Sequence, residues 1–132
     1  MSKYILVAED DQLLRKLYGI NLQASGRELE IAENGELAIR AIEKRQPDLL
    51  LLDLLMPIVD GFGVLKFIQQ KAYKFPVIVL SNLAQDVDMK KCLELGAKDF
   101  FVKGDMDLWK LADIVKMGLG ETGETDAKTA AV

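Results

Sequence analysis

Four short runs that are apolar at every position set the tightest limit on how this chain can fold: Tyr4–Ala8, Leu49–Leu52, Val77–Leu80 and Phe100–Val102. A strand without polar alternation offers no face to water, so both of its faces must be covered. A fifth run, Glu28–Ala32, alternates instead and suits a sheet edge. Between the runs lie amphipathic segments long enough to be the helical crossovers that parallel strands require. Gln12–Ala24 carries Leu13, Leu17 and Ile20 on one face, with Leu14, Tyr18 and Leu22 beside it. Glu36–Arg45 shows Leu37, Ala38, Ala41 and Ile42, with Asn34 available as its cap, and Phe62–Lys71 carries Leu65 and Ile68. Asn82, with Gln85 three residues on, resembles a capping box opening a fourth helix that Gly96 closes. Leu108, Leu111, Ala112 and Val115 mark a fifth.

Strand and helix thus alternate five times. This predicts an α/β fold: a doubly wound, five-stranded parallel sheet in three α/β/α layers, with flavodoxin-like strand order 2-1-3-4-5. The pattern predicts one domain over residues 3–117. From Gly118 periodicity stops and small and polar residues take over, so 118–132 reads as a flexible tail or linker stub. A literal G-x-G-x-x-G at Gly118, Gly120 and Gly123 follows a helix rather than a strand, the wrong context for a dinucleotide site. A net charge of −4 argues against nucleic-acid or anionic-membrane binding through bulk charge. Histidine is absent, which excludes His-based zinc sites and Ser-His or Cys-His nucleophile pairs. The single cysteine, Cys92, excludes an internal disulfide and reads as core packing. With no secretory signal pattern and no apolar run of membrane-spanning length, the expected setting is the cytoplasm.

In open α/β sheets the ligand site lies beyond the carboxyl ends of the strands, where the strand order reverses. The residues in those places are Glu9, Asp10 and Asp11 after the first run, Asp53 after the third, Ser81 and Asn82 after the fourth, and Lys103 after the fifth. Crowded carboxylates raise one another's pKa unless neutralised. A hard cation such as Mg²⁺ and a lysine both neutralise them. Metal, lysine and hydroxyl are what phosphoryl transfer needs, and a carboxylate can itself be the nucleophile. Taken singly, Asp10 and Asp11 could cap a helix, as could Ser81 and Asn82. Asp53 resists that reading, because packing gives no reason for a carboxylate inside Leu-Leu-Leu-Leu-Asp-Leu-Leu.

The segments Val-Ala-Glu-Asp-Asp, Leu-Leu-Asp-Leu-Leu-Met-Pro-Ile-Val-Asp-Gly, Val-Leu-Ser-Asn and Phe-Phe-Val-Lys resemble, in order and spacing, the receiver domain of two-component response regulators. The resemblance implies that Asp53 accepts a phosphoryl group from a histidine kinase or histidine phosphotransfer protein. It implies that Glu9, Asp10 and Asp53 hold Mg²⁺, with the Leu55 carbonyl as a further ligand. Lys103 would pair with the phosphate, Ser81 would be the switch hydroxyl and Phe100 the switch aromatic. Output would pass to a protein partner, or to self-association, through the fourth helix, fifth strand and fifth helix, without direct nucleic-acid binding or membrane insertion. Such a chain is not a conventional enzyme, although it catalyses its own phosphorylation and dephosphorylation.

Three positions depart from the family pattern. Gly104 stands where proline usually follows the lysine, Asn82 where a small residue usually follows the switch hydroxyl, and Leu55 offers no polar group to orient water. Rival readings are a receiver cut from a multidomain DNA-binding regulator and an interaction module that works without phosphorylation. A Mg²⁺-dependent phosphatase would want a second aspartate at the Leu55 position.

Overall fold

The computed structural model describes residues 2–23, 26–83, 85–105 and 107–121. Strands β1 (Tyr4–Ala8), β2 (Glu28–Ala32), β3 (Leu49–Leu52), β4 (Val77–Ser81) and β5 (Asp99–Val102) alternate with α1 (Gln12–Gln23), α2 (Gly35–Lys44), α3 (Gly61–Gln70), α4 (Asp86–Glu94) and α5 (Leu108–Gly118). All strand pairs are parallel, in the order β2-β1-β3-β4-β5. The expected fold class and strand order are therefore those observed. Residues 122–132, most of the expected tail, lie outside the described residues.

Successive strand residues point to opposite faces, which explains the uninterrupted apolar runs. Leu6, Leu50, Leu52, Val77 and Val79 pack with Ala38, Ile42, Val64, Leu65 and Cys92. Ile5, Val7, Leu49, Leu51, Ile78 and Leu80 pack on the other side with Tyr18, Leu22, Leu111, Ile114 and Val115. On α1 the stripe that turns inward contains Tyr18 and Leu22, while Leu13 and Ile20 stay 65% and 70% exposed. No helix among the described residues is long and apolar enough to cross a membrane.

Most helix starts follow from local chemistry. Asn34 caps α2 by accepting the Leu37 N–H at 2.8 Å, as expected. Asp60 and Asp107 cap α3 and α5 in the same way. The expected capping box at Asn82 and Gln85 does not form. Instead α4 begins at Asp86, and Gln85 at its N-cap makes no side-chain capping bond. Asn82 therefore lies three residues before the cap position, and its side-chain oxygen accepts a hydrogen bond from another loop, the N–H of Gly104 at 3.0 Å. A short 3₁₀ turn, Lys103–Asp105, follows β5 and was not expected from the periodicity.

Candidate functional site

Strand order reverses between β1 and β3, since β1 pairs with β2 on one side and β3 on the other. Glu9 and Asp53 stand one residue beyond these two strands. Both stay in register with the sheet: Glu9 N–H donates to Ala32 O at 3.0 Å and Asp53 N–H to Ala8 O at 3.1 Å. Backbone pairing thus fixes two carboxylates at the crevice mouth.

The two consecutive aspartates separate by role. Asp11 accepts the Leu14 N–H at 3.0 Å and caps α1. Asp10 is exposed, and one carboxylate oxygen from each of Glu9, Asp10 and Asp53 lies within 4.8 Å of the others.

Lys103 reaches across from β5. Its Nζ lies 2.8 Å from Asp53 Oδ2 and 2.5 Å from Glu9 Oε1. The remaining oxygens accept backbone N–H groups, Glu9 Oε2 from Asp11 at 3.2 Å and Asp53 Oδ1 from Leu55 at 3.3 Å. Glu9 is 1% exposed and Asp53 6%. Burial pushes the Glu9 carboxyl up to about 7; the Lys103 hydrogen bond opposes this and the Asp53 carboxylate adds to it. Burial on its own would lower the Lys103 pKa, but the bonds to Asp53 and Glu9 outweigh it and hold the ammonium above the ordinary lysine value.

Three carboxylates against one ammonium leave an excess of negative charge in a cluster whose candidate ligands are hard carboxylate oxygens. That donor set fits Mg²⁺, which takes one or two carboxylates and keeps several waters. Asp10 provides the solvent-facing side of the cluster.

Ser81 is fully buried at the end of β4, and its Oγ accepts the Leu83 N–H at 3.1 Å. Phe100, 6% exposed, pairs in register with Val79 and belongs to the core on the α3/α4 side of the sheet. Leu55 is 58% exposed beside Asp53.

The family model for the response regulator receiver domain matches residues 5–116, almost the whole of this fold. The chain belongs to that family. The alkaline phosphatase synthesis transcriptional regulatory protein PhoP of Bacillus subtilis is 37% identical over 103 residues, which is 78% of this chain and 43% of PhoP. This receiver spans about two-fifths of the length of the curated transcriptional regulators it matches. Its fold is similar to the receiver domain of the Francisella response regulator 1452, with a TM-score of 0.84, 26% identity and coverage of 92% of this chain and 99% of that one. It is also similar in fold to the receiver domain of the sensor histidine kinase PA1611 from Pseudomonas aeruginosa, with a TM-score of 0.80, 24% identity and coverage of 91% and 99%. In that protein a magnesium ion is coordinated in the active-site cleft.

Two features of this receiver's site were missed in the sequence. Gly61 opens α3 directly against the backbone of the phosphoacceptor candidate: a Cβ there would lie 2.4 Å from Asp53 O and 2.7 Å from Leu54 Cα. Asp60-Gly61 looks like an ordinary turn, and only the close approach makes the glycine necessary. Ile58, in the same loop, has φ of 73°, and Val59 N–H donates to Pro57 O at 2.8 Å around it. A β-branched residue in that region is strained, and nothing in its local sequence signals it.

Proposed function

We propose that this receiver is a cytoplasmic phosphorylation switch that accepts a phosphoryl group on Asp53 from the phosphohistidine of a histidine kinase or phosphotransfer protein. The observation that carries the reading is the Lys103 ammonium within hydrogen-bond distance of both Glu9 and Asp53, beside the Asp10 carboxylate. Structural ion pairs of this kind exist without function, but here the cluster occupies the crevice at the topological switch point.

In the proposed reaction a carboxylate oxygen of Asp53 attacks phosphorus in line, the O–P bond forms, and the P–N bond to imidazole breaks. The departing imidazole nitrogen keeps the electron pair, and the ring, already protonated at its other nitrogen, leaves as neutral imidazole. Lys103 already sits on Asp53 Oδ2 and passes its hydrogen bond to a phosphoryl oxygen as charge develops there. Glu9, Asp10 and Asp53, with the Leu55 carbonyl, would hold Mg²⁺. When bound, the ion supplies positive charge for the phosphoryl oxygens.

Ser81 then gives up the Leu83 N–H and donates its hydroxyl to the phosphoryl group, and Phe100 follows into the vacated space. The element best suited to respond is α4, whose one buried residue is Cys92, against four in α3. Few buried contacts mean a low cost of rearrangement. The resulting change in the α4-β5-α5 surface is read by a partner protein. The greater length of the relatives favours a second route, in which this receiver controls a DNA-binding region of a longer chain.

The reading is tested with the full chain, acetyl phosphate and Mg²⁺, with chelator as the control. Metal-dependent formation of an acyl phosphate, with altered amide exchange in α4, is expected. Absence of either would count against it.

The lifetime of the phosphate should depend on Leu55. Its exposed apolar side chain beside Asp53 cannot orient a water for in-line hydrolysis. Leu55→Asn supplies such a group, and its phosphate is expected to decay about tenfold faster, below the ~10²–10⁴ of a fully placed general base. Equal decay in parent and variant would show that the side chain at position 55 does not govern hydrolysis.

A further inference from the structure

Asn82 and Gly104 depart from the family pattern separately, yet in this chain they are partners. β4 and β5 end in register, Ser81 opposite Val102, so the two loops leave the sheet side by side. The Asn82 side-chain oxygen accepts the Gly104 N–H at 3.0 Å across 22 residues of sequence. That N–H lies in the 3₁₀ turn Lys103–Asp105, whose first amides have no partner within the turn. Asn82 therefore caps a turn that belongs to a different loop.

The constraint on position 104 is the donor rather than glycine's small size or freedom. Gly104 is not in the left-handed region, and a Cβ there would meet Asn82 Oδ1 at 3.6 Å, an ordinary contact. Proline alone among the residues could not supply the bond.

Asn82 follows Ser81 directly, and Gly104 follows Lys103 directly. We propose that Asn82 is a positioning residue that couples the Ser81 loop to the Lys103 loop, so that hydroxyl and ammonium meet the phosphoryl group as one unit. The proposal rests on the phosphoacceptor reading of Asp53. With the link broken, the Lys103 side chain keeps its bonds to Glu9 and Asp53 but must pass the Asp53 bond to the phosphoryl group, and the turn that carries it loses this tie to the Ser81 loop.

The test compares the full-length parent with Asn82→Ala, Asn82→Asp, Gly104→Ala, Gly104→Pro and the Asn82→Ala/Gly104→Pro double variant. Two quantities are measured: the rate of Asp53 phosphorylation by acetyl phosphate with Mg²⁺, and amide exchange over residues 103–105 without phosphodonor. Asn82→Ala and Gly104→Pro are each expected to slow phosphorylation roughly three- to tenfold, the scale of one net hydrogen bond. Because both remove the same bond, the double variant should be no slower than the slower single one. Gly104→Ala, which keeps the N–H, should stay closer to the parent than Gly104→Pro. Exchange at Gly104 should quicken in Asn82→Ala and return toward the parent in Asn82→Asp, which keeps the acceptor oxygen. The proposal is overturned if the single effects multiply in the double variant, if Asn82→Ala is phosphorylated at the parent's rate, or if Gly104 exchange is the same in both. A parent that takes no phosphate overturns the phosphoacceptor reading and the role of Asn82 with it, while the exchange data alone still decide whether the link exists.

Discussion

Asp53→Asn is expected to take up no phosphoryl group from acetyl phosphate and Mg²⁺ under conditions that phosphorylate the parent. The substitution keeps the size and planar shape of the side chain. Its amide oxygen can still accept from Lys103 or from the Leu55 N–H, the two partners of the native carboxylate. What disappears is the nucleophile, because an amide has no anionic oxygen to attack phosphorus. It also removes one of the three carboxylates of the cluster, so metal affinity should fall as well. Intact mass spectrometry after phosphodonor treatment checks this, and a thermal melt shows that the variant is folded. Phosphate on the variant at the parent's level would place the acceptor elsewhere.

The second large effect concerns stability in the absence of divalent cation. The Glu9 carboxyl rises from an ordinary 4.5 to about 7 in the folded chain, chiefly through burial. Between those values the folded state keeps a proton that the unfolded chain has lost. The stability present below 4.5 is therefore lost progressively as pH rises, and the loss is complete once pH passes through about 7. At ~1.4 kcal/mol per pKa unit the decline is on the order of 3 kcal/mol. Chemical denaturation in chelator should show it in the parent between weakly acidic and weakly alkaline pH. Glu9→Gln, which has no charge to desolvate, should largely lack this decline. Mg²⁺ should raise the parent's stability most on the alkaline side, where the carboxylates are ionised. A parent whose stability holds level across that range would mean that Lys103 fully compensates the buried charge.

Much of this molecule was legible in the sequence because its strands are covered on both sides. Uninterrupted runs such as Leu49–Leu52 tolerate one environment, and once the strands are known, strand order places Glu9, Asp53, Ser81 and Lys103 at one rim. The illegible parts are those that a local pattern cannot contain. Two adjacent stripes on α1 are both apolar, and only the packed sheet decides that Tyr18 and Leu22 turn inward while Leu13 and Ile20 face water. Asp10 and Asp11 are equivalent as letters, and the Asp11 bond to Leu14 N–H separates cap from cluster. Asn82 makes a reasonable helix cap on paper, but the helix starts at Asp86 and the Asn82 oxygen instead meets a donor 22 residues away. Gly61 is needed because the backbone of Asp53 passes too close for a Cβ, which no local propensity reports.

Locating the phosphoryl group tests most directly whether Asp53 is the phosphoacceptor. The full chain is treated with acetyl phosphate and Mg²⁺, the acyl phosphate is trapped by borohydride reduction, and the reduced side chain is located by peptide mass spectrometry. Reduction confined to Asp53, and absent when chelator replaces Mg²⁺, is the predicted result. Reduction at Asp10, Asp11 or Asp60 instead, or no reduced carboxyl at all, would contradict the account.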